Sequence, residues 1–261
     1  MWSRGWAGLG SAGLQWPGRG EVGVCSLVVM RVYLASTSPA RLMLLRSSGI
    51  EPIAIPSQVD EDAALERVAA ARGVQVSDLS PETVVLELAR TKAEAVAGAA
   101  VDPVNGGELD GLVIGGDSMF EIDGRVLGKP YAPDVARERW LAQLGKTGTL
   151  WSGHWVVDCR RASHARDDVD EARGLGRVAS AHVTFVEGLS EAELEAYIAS
   201  GEPLHVAGAF TIDSLAAPFI ERVDGDPSTV VGMSLPTLRC MVRELGIEWH
   251  ELWNRVPEHR A

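Results

Sequence analysis

An acid and a base are aimed at one point by the run Leu112-Val-Ile-Gly-Gly-Asp117-Ser-Met-Phe-Glu-Ile-Asp-Gly-Arg-Val-Leu-Gly-Lys129-Pro130. Leu112 to Ile114 read as a buried strand, and Gly115 with Gly116 allow the backbone a tight turn just before Asp117. Met119 to Ile122 and Arg125 to Leu127 then flank Asp123-Gly124, a pair suited to the positive backbone angles of a type I′ turn, which predicts a hairpin. In that register Ile122 faces Arg125, Ser118 faces Lys129 and Asp117 faces Pro130, so Asp117 and Lys129 are near neighbours across the open end. A carboxylate and an ammonium at the carboxyl end of a strand suit metal binding, water activation and phosphate neutralisation. They equally suit a plain surface ion pair.

Three further places carry chemistry. Arg31 to Ala35 alternates like a strand and leads through Ser36-Thr-Ser38 into a helix, with Ser38 as N-cap and Pro39 in the first position. The unpaired amides of such a helix start form an anion site, and Arg41 in its first turn opposes the helix dipole unless an anion is bound there or water solvates it. Asp60, Glu61 and Asp62 form an acidic cluster that is a solvated face, a helix start, or half of a metal site needing a carboxylate from elsewhere. A helix opening at Ser80-Pro81-Glu82 and running to about Gly98 has an apolar stripe of Val85, Leu88, Ala89, Ala93 and Val96. Lys92 falls on that stripe, so its ammonium either snorkels outward or meets an anion.

The elements that must position these groups alternate between strand and helix. A short strand is predicted at Ile53 to Ile55, helices at Pro133 to Leu144, after Ser190 and from Ser234 to Leu245, and strands at Leu150 to Asp158 and Val178 to Val186. Gly208 to Asp213 and Ala217 to Val223 also read as strands. The fold class is therefore α/β, a mixed sheet flanked by helices. Residues 1–29 hold seven glycines and three tryptophans without an unbroken apolar core, which predicts a disordered extension or an upstream start codon rather than a leader. Residues 30–250 form one domain, with a charged, mobile loop at about 160–177 and a tail over 251–261.

At 261 residues with a net charge of -12, the chain carries a sizeable core and lacks the cationic surface that nucleic acids or anionic membranes require. Its three cysteines, Cys25, Cys159 and Cys240, are far apart and fit a reducing cytoplasm better than a disulfide framework. Gly145-Lys-Thr is not a P-loop, since Trp140 stands where the upstream glycine is needed. Gly174-Leu-Gly176 lacks the preceding strand of a dinucleotide fingerprint. Gly116-Asp117-Ser118 is similar to the serine block of Gly-Asp-Ser hydrolases, but the positions three before His250 and His259 are Ile247 and Val256, not the aspartate that chemistry uses.

Taken together, seven blocks in order resemble the Maf family of nucleoside triphosphate pyrophosphatases. They are Leu34-Ala-Ser36-Thr-Ser38-Pro-Ala-Arg41, Val59-Asp-Glu61, Leu88-Ala-Arg-Thr-Lys92-Ala, Gly115-Gly-Asp117-Ser, Leu127-Gly-Lys129-Pro, Ala207-Gly-Ala-Phe-Thr-Ile and Gly225 to Gly232. The resemblance implies an elongated mixed sheet with a central nucleotide cleft, similar also to inosine triphosphate pyrophosphatases, and commonly a homodimer. It implies cleavage between the α and β phosphates, giving a monophosphate and pyrophosphate with a divalent cation, Mg²⁺ or Mn²⁺. On that pattern Ser36, Arg41 and Lys92 bind the phosphates, and Asp117, Glu61 and Lys129 are catalytic. Glu61 with Asp117 holds the metal, and Asp117 accepts the proton of attacking water.

The chain departs from one branch of the family at Ala40, Ser118 and Asp213, where that branch has arginine, threonine and glutamine. These are its expected specificity positions. Asp213 can accept hydrogen bonds from base N–H groups, which favours guanine-like or amino-bearing bases. The family is also linked to cell division and septum formation, so the alternative is a nucleotide-binding regulator without turnover.

Overall fold

The computed structural model describes residues 30–99, 101–161 and 173–255. The expectations for residues 1–29, for 162–172 within the charged stretch and for 256–261 lie outside the described residues. The sheet contains β1 (Arg31–Leu34), β2 (Ile53–Ala54), β3 (Gly111–Ile122), β4 (Arg125–Leu127), β5 (Thr147–Asp158), β6 (Arg173–Phe185) and β7 (Ile220–Asp224). Its order is β2-β1-β3-β5-β6-β7, with β4 paired to β3 off that path. β1 is parallel to β2 and β3, while the remaining pairs are antiparallel, so the sheet is mixed as the sequence predicts.

The helices are α1 (Pro39–Ser47), α2 (Glu61–Arg72), α3 (Pro81–Ala99), α4 (Pro133–Gln143), α5 (Glu191–Ala199), α6 (Pro227–Val231) and α7 (Leu235–Glu244). Alternation along β1 and β3 sends side chains to both faces of the sheet. Leu34, Leu112 and Ile114 pack with Leu45 of α1 and with Leu238 and Met241 of α7. Tyr33 and Val113 pack on the opposite side with Ala93 and Val96 of α3. A third cluster gathers Phe120, Trp140, Phe185, Tyr197 and Phe210 at the far end, where the rings meet edge to face.

The hairpin forms in the predicted register, with Ile122 opposite Arg125, Glu121 opposite Val126 and Phe120 opposite Leu127. Asp123 and Gly124 both take positive φ, 51° and 70°, as a type I′ turn demands. The ladder ends there, so Ser118–Lys129 and Asp117–Pro130 are not strand pairs.

Gly115 and Gly116 make no turn; β3 runs straight through them. A Cβ on Gly115 would lie 2.2 Å from the carbonyl oxygen of Ala89, and one on Gly153 in β5 would lie 2.1 Å from that of Val85. These glycines let α3 lie directly on the sheet, a role that a glycine pair in sequence does not distinguish from a turn.

Two more expectations are corrected. Gly208 to Asp213 is not a strand. Gly208 and Ala209 take φ of 71° and 62° in a short 3-10 helix over Ala207–Ala209, and an irregular loop follows. The predicted strand after it is shorter at its start, because Ala217–Phe219 is another 3-10 turn before β7. The charged stretch gives up Arg173 to Arg177 to β6, and a 3-10 turn over Trp249–Leu252 buries Leu252 at the start of the expected tail.

Candidate active site

Ser36, Ala40, Arg41, Glu61, Lys92, Asp117, Ser118, Lys129 and Asp213 all line one open cleft of about 1160 Å³. Each reaches it from a different cause in the chain. Ser38 caps α1 by accepting from the Arg41 amide at 3.4 Å, and Ser36 Oγ accepts from the Ser38 amide at 3.2 Å. This fixes the β1–α1 turn with the helix start open toward the cleft. Asp60 caps α2 through the Ala63 amide at 3.0 Å, so the acidic cluster is a helix start and Glu61 is its first residue.

Lys92 meets anions. Its ammonium lies 2.6 Å from Asp117 Oδ1 and 2.8 Å from Glu61 Oε1, and its side chain is only 12% exposed. The closeness of α3 to β3 and β5, set by Gly115 and Gly153, gives Lys92 this short reach to a carboxylate on the strand beneath it. Two carboxylates from α2 and β3 thus converge on one cation. That donor set fits a hard divalent ion whose remaining ligands are phosphate oxygens and water. No group of three His, Cys, Asp or Glu side chains placed to hold a metal occurs among the described residues.

Arg41 is the most constrained cation of the cleft. Nε donates to the Gly232 carbonyl at 2.9 Å, Nη1 to Ser36 Oγ at 3.3 Å and Nη2 to Ser118 Oγ at 3.0 Å. Burial pushes its pKa down, and the negative charges of Asp117 and Glu61 push it back up. No carboxylate lies within ion-pair distance of it among the described residues. It is held by neutral oxygens that fix its direction without neutralising it.

Lys129 stands exposed at the cleft rim beyond β4 and has no ion pair among the described residues. Arg41, Lys92 and Lys129 are the lysines and arginines of the cleft wall.

Ser118 Oγ lies 2.9 Å from Ser152 Oγ and 3.2 Å from the Gly232 carbonyl, and Ser152 donates to the Thr229 carbonyl at 3.0 Å. This hydroxyl chain ties β3 and β5 to α6. None of these contacts is a histidine, which removes the base that a serine hydrolase requires.

Sequence reasoning missed the partners that orient the expected residues: Ser152, the Gly232 carbonyl and His154. His154 is buried, and its Nε2 accepts from the Ser234 amide at 2.8 Å, at the start of α7. Burial holds its pKa down at about 4, with Arg41 acting in the same direction, while the Arg177 carbonyl and Asp226 pull upward. The unfolded chain, with an ordinary value near 6.5, takes up the proton first. The contribution of His154 to stability is therefore full above pH 6.5 and falls as the pH drops toward 4, by roughly 3 kcal/mol in all. Thermal unfolding across that range is expected to flatten in His154→Gln, and an unchanged acid slope would refute the assignment.

A family model described as Maf-like protein matches residues 31–245. A relative from Leifsonia xyli subsp. xyli is 59% identical over 227 residues, covering 87% of this chain and 98% of the relative. Relatives from Saccharopolyspora erythraea and Rhodococcus jostii are 47% and 46% identical, covering 86% and 84% of this chain and 97% and 94% of their own. All three carry the name nucleoside triphosphate pyrophosphatase.

Proposed function

Because the chain belongs to the Maf family, we propose that it hydrolyses the α–β phosphoanhydride of a nucleoside triphosphate to a monophosphate and pyrophosphate. The observation that supports this best is the meeting of Glu61, Lys92 and Asp117 beside an Arg41 held only by neutral oxygens. A triphosphate carries about four negative charges, so its cleavage depends on positioning and charge neutralisation more than on covalent chemistry.

Arg41 uses three of its five N–H groups on Gly232, Ser36 and Ser118, which aims the guanidinium and leaves two donors for phosphate oxygens. Ser36 and the open amides of α1 add neutral donors. Lys92 and Lys129 offset the charge that gathers on the leaving pyrophosphate. Asp117 accepts the proton of the attacking water. It is 15% exposed and ion-paired, which fixes its carboxylate but leaves an oxygen for water. Glu61 and Asp117 would hold Mg²⁺ or Mn²⁺, which when bound polarises the phosphates and the attacking water.

The uncharged end of the nucleotide faces the other wall. His205 to Ala207 and Phe210 to Asp213 line the cleft there without a lysine or arginine, and Asp213 stands exposed at the end of the stretch. Asp213 accepts from base N–H groups, with Ala40 and Ser118 shaping the approach from α1 and β3. Asp213→Gln is expected to move the preference among GTP, CTP and UTP away from amino-bearing bases by about tenfold. An unchanged ranking would remove Asp213 from base selection.

The proposed protein is a cytoplasmic homodimer of one domain spanning 30–250, with neither nucleic acid nor membrane as partner. No helix among the described residues is long and apolar enough to cross a membrane. A regulator without turnover would need the cations but no carboxylate pair beside them. Incubation with a nucleotide panel, with and without divalent metal, tests the proposal. Metal-dependent turnover supports it, and tight binding without turnover favours the regulator.

A further inference from the structure

Opposite the phosphate wall, one acidic side chain outside the cleft chemistry gathers an unusual number of donors. Glu202, in the 3-10 helix Glu202–His205, accepts at Oε1 from Tyr197 Oη at 3.1 Å, Thr211 Oγ1 at 2.7 Å and the Ala216 amide at 3.3 Å. At Oε2 it accepts from Ser214 Oγ at 2.7 Å and the Leu215 amide at 3.1 Å. No lysine or arginine lies within ion-pair distance of it among the described residues, so neutral donors alone support the charge. These donors draw its pKa down against the upward push of burial.

Four of the five donors belong to residues 211–216. That segment has no regular secondary structure, hence no backbone ladder to hold its shape. Its ends are pinned in the core by Phe210, whose ring meets Phe120 at 4.9 Å, and by fully buried Ala216. Its middle carries Thr211, Ile212 and Asp213 to the cleft. The 3-10 helix of Glu202 is also joined to the Lys129 arm, since the Tyr131 amide donates to the Leu204 carbonyl at 3.0 Å.

We propose that Glu202 is a positioning residue that moulds the Thr211–Ala216 loop into the surface that receives the nucleoside end of the substrate. This rests on the nucleoside triphosphate reading given above. A carboxylate suits the task because it offers only acceptors. Two amides, two aliphatic hydroxyls and a phenol can all point at it without any needing to turn. A glutamine in its place keeps one acceptor oxygen but presents N–H groups to the Leu215 amide, so it satisfies about half the loop. Because Glu202 touches the loop and not the phosphates, its loss is expected in nucleoside binding and base preference rather than in the chemical step.

The test combines kinetics with hydrogen exchange in wild type, Glu202→Gln, Glu202→Ala and the double variant Thr211→Val/Ser214→Ala, which removes two donors and leaves the carboxylate. The expected result is faster amide exchange confined to 211–216, and KM raised about tenfold with kcat within about threefold. The preference between purine and pyrimidine nucleotides is expected to narrow in the order Gln, then Ala. A role limited to stability would instead lower the melting temperature and scale all nucleotides equally, which would overturn the inference. So would unchanged exchange at 211–216 in both Glu202 variants. Pyrophosphate release by the wild type decides the parent reading separately, and exchange at 211–216 decides whether Glu202 holds the loop whatever that outcome.

Discussion

Asp117→Asn is expected to lower kcat for pyrophosphate release by about 10³-fold while the protein keeps its fold and its affinity for nucleotide measured without metal. The substitution preserves shape and a carbonyl oxygen that can still accept from Lys92 Nζ, now 2.6 Å away. What it removes is the negative charge and the basicity. One of the two carboxylates facing the Lys92 ammonium disappears, and with it the group that takes the proton from water. Phosphate binding depends on Arg41, Lys92 and Lys129, which remain. Without metal, removing a negative charge beside a polyanion leaves binding unchanged or tightens it; with Mg²⁺ or Mn²⁺ the loss of one of the ion's two carboxylate ligands offsets that gain. The separation of kcat from affinity is the diagnostic feature. A fall in binding with kcat preserved would make Asp117 a binding group and place the water-activating role elsewhere.

The second large effect is expected from packing at Gly153, the β5 residue paired with Asp117 across the sheet. In Gly153→Ala the new methyl would lie 2.1 Å from the Val85 carbonyl oxygen and 2.3 Å from its carbon, which are backbone atoms of α3 and cannot rotate away. The helix must lift from the sheet, at about 3 kcal/mol for overpacking of this kind, or a melting temperature roughly 5–10 °C lower. Lifting α3 also draws Lys92 off Asp117, so activity falls beyond what the lost stability explains. Gly98→Ala, on the same helix with nothing within 4 Å of the added carbon, is the control, expected to stabilise by roughly 0.5–1 kcal/mol. Differential scanning calorimetry and turnover of the two variants side by side check both halves. Equal behaviour would show that the close approach of α3 has no cost attached.

Much of this site was legible in the sequence because local signals fixed it. Asp123-Gly124 set the hairpin register, Ser38-Pro39 set the start of α1, and the position of Lys92 on an apolar stripe left its ammonium two courses, snorkelling outward or meeting an anion. The partner itself was not legible, since nothing local to Lys92 or Asp117 states that α3 rests on β3 and β5.

Of the two glycines that bring them together, Gly115 reads as a turn former, because a demand for close helix approach and a demand for positive φ select the same residue. The same limit hid the structure of 208–213. Its alternating pattern is that of a strand, but Phe210 turns into the cluster with Phe120 and Phe185, and Glu202 supplies the acceptors that a neighbouring strand would have offered. The expected base-reading role of Asp213 came from the family resemblance, and the device that shapes its loop lies in tertiary contacts that no spacing encodes.

The most direct test of the central claim is product identity: chromatographic and enzymatic quantification of all phosphorus-containing products after the wild-type protein has turned over a nucleoside triphosphate with Mg²⁺ or Mn²⁺. Cleavage between the α and β phosphates predicts nucleoside monophosphate and pyrophosphate in equal amounts, with no orthophosphate and no nucleoside diphosphate. Nucleoside diphosphate with orthophosphate, or intact nucleotide recovered from a protein that binds it, would contradict the account.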